Sequence, residues 1–211
     1  MNSPLKNCYV IDNFLPDPDS VRTHIINFTK ENKYIGQGAH SNPDHDFSAQ
    51  YHGRRWKEVD NSLSQYIEDT VSNVLEQKVV MGGYNSLSKY IHYNLITEYE
   101  GVLQRIHLDK WWTGILYLSD GPIDCGTILY KKNEDVHVEP HLLKLDSKGH
   151  SSLIFSCPDH DFWSMVYESE YRYNSMFLFK ADEYYHVGNH GFGNTNDNCR
   201  ITIPCFFEPH K

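Results

Sequence analysis

Residues 105–121 read RIHLDKWWTGILYLSDG. The second half, TGILYLS, is rich in β-branched and aromatic residues and stops at Ser-Asp-Gly, which is a strand closed by a turn. The first half carries a His-x-Asp pair, His107 and Asp109. On an extended strand residues i and i+2 share a face, so these two side chains project together while Ile106 and Leu108 point away. A pair of metal ligands and two polar residues on the rim of a sheet both fit that pattern.

Outward from this stretch, a period of two runs through most of the chain after Val79. Candidate strands are KVVMG, SKYIHYNLI, VLQRIHL, TGILYLS, GTILYKK, HSSLIFS, FWSMVYES, NSMFLFK, EYYHVG and RITIPCFF. Turn residues separate them, among them Gly-Gly, Cys-Pro-Asp and a long Gly/Asn/Asp run before Arg200. Many short strands at near-regular spacing predict a sandwich or jelly roll. Upstream, residues 7–15 read as a first strand. PDPDS then supplies prolines and an N-cap for a helix over 20–32. Residues 33–60 read as a long loop, and 62–79 as a second helix with an apolar stripe of Leu63, Tyr66, Ile67, Val71, Val74 and Leu75. The helices are expected to cover one outer face. Residues 1–211 are expected to form one domain, with 1–80 a helical support and loop and 81–211 the jelly-roll core.

The chain has 211 residues, 14% of them aromatic, and a formal net charge of −9. That balance argues against a phosphate-binding face, leaving Arg54-Arg55 as the one local basic candidate, and no nucleic-acid partner is expected. Five cysteines at irregular spacing, without a C-x-x-C, argue against a disulfide framework or a thiolate zinc site. No apolar run reaches membrane-spanning length and the N-terminal residues lack a signal-peptide core. A cytoplasmic protein without a membrane partner is the expectation.

The His-x-Asp pair is uninformative by itself. Thirteen His and sixteen Asp in this length yield about one such pair by chance. Its context adds weight. Two histidines and a carboxylate on one side of a metal leave the opposite positions open, which suits non-haem Fe(II). The best third ligand is His186, in FLFKADEYYHVGNHG, which follows a strong strand. His190 lies among Gly and Asn and reads as a loop residue. Alone, His186 reads more readily as a satisfied core or rim histidine. Downstream, Arg200 opens the apolar strand RITIPCFFE and shares a face with Thr202. A guanidinium pointing inward needs an anion, either an internal Asp or Glu or the carboxylate of a bound ligand.

Together these residues resemble the iron(II)/2-oxoglutarate-dependent dioxygenases, whose pattern is His-x-Asp, a distal His, and an Arg or Lys ten to fifteen residues further on. TGILYLSDGPIDCGTILY and the spacing of Gly101 to His107 resemble the prolyl-hydroxylase branch. YNSMFLFKADEYYHVGNHGFG and VIDNFLPDPDSVR resemble a bacterial and phage subgroup. The resemblance implies a mainly β (α+β) fold: a double-stranded β-helix (jelly-roll) core with flanking N-terminal α-helices. It implies Fe(II) held by His107, Asp109 and His186, with 2-oxoglutarate as cosubstrate on Arg200, Thr202 and Tyr117, and O2 as oxidant. Hydroxylation of a small-molecule or peptide substrate, with release of succinate and CO2, is the implied reaction. Trp111 and Trp112 follow the ligand pair directly and are candidates for the substrate wall. The 40–56 loop is a candidate lid. Two departures stand out: Glu98 replaces a frequent Tyr, and Cys125-Gly126-Thr127 replaces a Gly-Gly-Glu-Thr-like turn. Two rival readings are a cupin-like metal protein or isomerase without 2-oxoglutarate, and a metal-free sandwich that binds carbohydrate or protein.

Overall fold

The computed structural model describes residues 2–34, 53–82, 90–99, 106–133, 143–145, 151–153 and 162–210. Its described elements are β1 (Cys8–Asp12), α1 (Pro18–Glu31), β2 (Arg54–Val59), α2 (Asn61–Leu75), β3 (Val79–Met81), β4 (Tyr90–Ile96), β5 (Trp112–Tyr117) and β6 (Thr127–Lys132). They continue as β7 (Leu143–Leu145), β8 (Ser151–Leu153), β9 (Trp163–Glu168), β10 (Ser175–Lys180), β11 (Tyr185–Gly188) and β12 (Arg200–Pro209).

Local chemistry sets the helix ends. The Asp17 carboxylate caps α1 by accepting from the Ser20 N–H, and Pro18 follows where its missing N–H costs nothing. Asp60 caps α2 through the Leu63 N–H. Helix α2 stops at Leu75, short of the expected Val79, because Glu76 turns left-handed at φ 50° and frees Val79 for β3.

A seven-stranded antiparallel sheet carries the order β1-β10-β5-β12-β4-β2, with β3 also on β12. A three-stranded sheet, β11-β6-β9, faces it, and β7 pairs β8 separately. Side chains alternate cleanly. Leu116, Met176, Leu178, Ile201, Ile203, Tyr93 and Leu95 pack outward with Ile25, Ile26, Ile67 and Val71 of the two helices. Tyr117, Phe177 and Phe179 face inward, against Leu129 of the smaller sheet. The chain is thus a mainly β double-stranded β-helix with helices on one outer face.

Part of the expected 33–60 loop is a strand. Arg54–Val59 pairs antiparallel with β4 along its whole length, and Trp56 plugs the helix-side core. Residues 35–52, with most of the candidate lid, lie outside the described residues. So do Gly101, most of VLQRIHL and the His137-Val138-Glu139 segment.

Helix α2 owes its place to the fully buried Ile67. Ile67→Ala is expected to cost about 3–4 kcal/mol, as lost transfer energy plus a cavity between α2 and the sheet. Denaturant unfolding checks this, and a cost below about 1 kcal/mol would show that the helix packs loosely.

Candidate metal centre

His107 and His186 face each other as an antiparallel pair. The His107 N–H donates to the His186 carbonyl at 3.1 Å and the His186 N–H returns the bond at 2.9 Å. Such a pair brings both side chains to one side, and the rings lie 4.3 Å apart. Asp109 is anchored by its N–H on the Ala181 carbonyl at 3.2 Å. Its Oδ2 lies 3.4 Å from Nε2 of His186 and 3.8 Å from Nε2 of His107. The three ligand atoms all fall within 4.8 Å of one another.

The orientation of the His186 ring follows from its partners. Nδ1 lies 3.3 Å from the Tyr184 carbonyl, which can only accept, so Nδ1 donates there and Nε2 is the atom turned toward Asp109 and toward a bound metal. The ring is buried, with Phe179 edge-on at 4.8 Å. Burial would raise the Asp109 pKa. The hydrogen bond from His186 and the nearby positive charges of His107, His186 and Arg55 outweigh it and hold the carboxyl at about 2. Asp109 is therefore an anion at any physiological pH.

Arg200 enters the space between the sheets and is 3% exposed. Its Nε donates to the Cys125 carbonyl at 2.8 Å and Nη2 to the Gly126 carbonyl at 3.2 Å. The guanidinium lies 5.8 Å from the Tyr117 ring and 5.5 Å from the Tyr171 ring. Burial raises the pKa of both phenols, so its aromatic neighbours stay neutral. Among the described residues no carboxylate lies within 4.0 Å of it. Two glycines shape this pocket. A Cβ on Gly126 would lie 1.7 Å from the Ser169 carbonyl, so that turn admits no side chain. Gly188 shares the face of His186, two residues on, and a Cβ there would touch Nη2 at 3.6 Å. The guanidinium thus sits about one strand repeat, roughly 6–7 Å, along β11 from the ligand histidine.

The other expected site residues divide. Thr202 is buried on the inner face, paired with Tyr117 on one side and Asn94 on the other. The Tyr117 hydroxyl shares hydrogen bonds with Thr127 Oγ1 at 2.9 Å and Ser169 Oγ at 2.8 Å, so its ring walls the Arg200 pocket. Trp112 does not line the interior. Its alternation places it outward, against the helix-side core with Tyr9 at 6.0 Å, which corrects its assignment to the substrate wall. Trp111 is 42% exposed and holds a left-handed φ of 61°, a strained state for a large aromatic.

Three inner residues lack a sequence signal. Tyr171 packs on Arg200, and its hydroxyl donates to the Ile201 carbonyl at 3.0 Å. Asn94 accepts from Nε of Arg55 at 2.8 Å. Thr113 Oγ1 is buried with no hydrogen-bond partner among the described residues. Thr113 pairs with Phe179 and so shares the inner face beside His186. A buried orphan hydroxyl and a buried guanidinium without a carboxylate both fit a small polar anion between the sheets.

On β4, burial above all, with the positive charges of Arg55 and Lys57, holds the His92 imidazole at about 4. An unfolded chain protonates this group near 6.5. Between those values the unfolded state binds more protons, so stability present above pH 6.5 drains away as pH falls toward 4. The expected loss is on the order of 2 kcal/mol, after allowance for partial exposure. Denaturant unfolding of metal-free protein at pH 7 and pH 4.5 measures it. His92→Gln should remove this share of the loss, and an unchanged difference between the two pH values would assign it elsewhere.

No family model matches the sequence, and no curated protein matches it. Solved structures do match in fold. A prolyl hydroxylase from Trichoplax adhaerens, in complex with a hypoxia inducible factor peptide fragment, superposes with a TM-score of 0.54 at 12% identity, over 96% of this chain and 84% of that one. The non-heme alpha ketoglutarate dependent epimerase SnoN of nogalamycin biosynthesis gives 0.59 at 11% identity, over 96% and 78%. HygX from Streptomyces hygroscopicus, with nickel and 2-oxoglutarate bound, gives 0.52 at 11% identity, over 96% and 83%. The chain therefore has the double-stranded β-helix fold seen in 2-oxoglutarate-dependent oxygenases.

Proposed function

We propose that the protein is an Fe(II)- and 2-oxoglutarate-dependent oxygenase acting on a small-molecule or peptide substrate, residues 1–211 forming one such domain, in the cytoplasm. The observation that carries this is the pairing of a convergent His107, Asp109 and His186 triad with a buried Arg200 that has no carboxylate partner among the described residues. His107, Asp109 and His186 would hold the iron. Arg200, with Thr202 beside it, would hold the distal carboxylate of 2-oxoglutarate, and Tyr117 and Tyr171 would exclude water from that salt link. The bound iron would supply redox chemistry with O2: R–H, 2-oxoglutarate and O2 become R–OH, succinate and CO2. The chain's own share is positional. Nδ1–H of His186 is spent on Tyr184, Asp109 stays ionised, and three ligands leave further coordination positions for cosubstrate and O2.

A cupin-like protein without 2-oxoglutarate would have no use for the Arg200 pocket. Purified protein incubated with Fe(II), 2-oxoglutarate and O2 should release succinate, even slowly without substrate. Anaerobic Fe(II) and 2-oxoglutarate should give a metal-to-ligand charge-transfer band. Absence of both would sink the proposal.

A further inference from the structure

The inner face of β2 and β4 lies outside the machinery assigned above. Strand β12 keeps β4 for only three register positions, Arg200–Ile96 to Thr202–Asn94, and farther along pairs with β3. Strand β2 follows β4 for its full length, so the two form a ribbon that leaves β12 beyond Thr202. Arg55 pairs with Asn94 and Lys57 with His92. Cross-strand partners share a face, so a row runs Tyr117, Thr202, Asn94, Arg55 across four neighbouring strands. At about 4.8 Å per strand, Arg55 stands roughly 10 Å from Thr202 on the same inward face.

The ribbon's inner face is cationic in a chain of net charge −9. Asn94 Oδ1 accepts from Nε of Arg55 at 2.8 Å and so fixes the plane of its guanidinium. The Lys57 ammonium sits 3.5 Å from the centre of the Tyr90 ring, and among the described residues no carboxylate lies within 4.0 Å of it. The opposite face of the same ribbon is built differently: Glu58 there bonds His24 of α1 at 2.8 Å and the Tyr93 hydroxyl at 2.7 Å. That face also carries Arg54, over the Trp56 ring at 5.6 Å, whose charge Glu58 offsets, so the ribbon's excess positive charge lies on the side of Arg55 and Lys57.

We propose that this ribbon binds an oxyanion of the primary substrate, a carboxylate or a phosphate, with Arg55 and Lys57 as its counter-charges. The inference rests on the oxygenase reading and names the substrate class for it. A guanidinium with a fixed plane suits a two-oxygen acid group, and an ammonium on a ring face adds a point charge beside it. Arg200 is a separate anion site, to be filled by 2-oxoglutarate.

The test uses the full chain, anaerobic, with Fe(II) and saturating 2-oxoglutarate so that Arg200 is occupied. Inorganic phosphate and acetate are titrated separately at constant ionic strength, with chloride as control. Two-dimensional amide spectra, recorded also on metal-free protein, report on β2 and β4. One of the two anions should shift these signals saturably, and chloride should not. Lys57→Ala, an exposed position, and Arg55→Gln should each weaken that binding about tenfold. The preferred anion separates a phosphorylated substrate from a carboxylic acid. A protein that forms the charge-transfer band but binds neither anion saturably overturns the proposal, as does equal binding by folded Lys57→Ala and Arg55→Gln. A missing band alone counts against the oxygenase reading instead.

Discussion

Arg200→Ala raises the 2-oxoglutarate concentration needed for the anaerobic Fe(II) complex by about a hundredfold or more, and changes Fe(II) affinity little. The size follows from the environment. Hydrogen bonds to a charged group contribute about 1.5–3 kcal/mol each, and two are lost with a bidentate pair. Every 1.4 kcal/mol is about tenfold in affinity. Arg200 is buried, so solvent screens this interaction little. The side chain also bonds the Cys125 and Gly126 carbonyls, so Arg200→Ala leaves two acceptors bare and lowers stability too. Arg200→Lys separates the effects: it keeps the charge, loses the fork, and should recover only part of the cosubstrate affinity. Titration of Fe(II) alone, then of 2-oxoglutarate, reads each arm. Loss of metal binding in a folded Arg200→Lys protein would show that the guanidinium shapes the centre and does not hold the cosubstrate.

His186→Ala removes metal binding, with Fe(II) affinity falling more than about a hundredfold, beyond what loss of an outer-shell partner costs. His186 is the buried ligand of the three, its Nδ1 on the Tyr184 carbonyl and its ring packed edge-on against Phe179. His190 is the control. It is exposed, and its backbone N–H is taken by Asn189 Oδ1, so His190→Ala should bind Fe(II) normally. Calorimetric titration with Fe(II) under anaerobic conditions decides. Equal losses in the two variants would mean that the triad is not the centre.

Much of the architecture was legible in the pattern of residues. Strands β10 and β12 are nearly continuous apolar runs because they are covered on both faces, by the helices and by the smaller sheet. The PDPDS stretch signalled a capped helix start, and Asp17 within it caps α1. The triad was legible as His-x-Asp plus a distant histidine, and Arg200 stood out as a cation in an apolar strand. Strand β2 escaped notice for a physical reason. Only its outward face meets the core, through Trp56, and charges occupy the inner positions, so RRWKEV carries no apolar alternation. The Trp111-Trp112 doublet shows a second limit. Trp112 begins β5 and takes its outward face from long-range pairings with Lys180 and Phe207, while Trp111 lies before the strand at a left-handed φ and escapes its alternation. Thr113 and Tyr171 gain meaning only from burial and from what approaches them across the barrel.

The strand order also bears on how the molecule is made. Strand β12 lies between β5 and β4 and also pairs β3, yet it is the last of the sheet's strands to leave the ribosome. Until β12 has been synthesised, β5 and β4 have nothing between them, and β1 must wait for β10, more than half the sequence further on. Closure of the sheet therefore waits for the strand most distant in sequence from β1. Until then the nascent chain holds unpaired strand edges, which makes slow folding the cost of this topology.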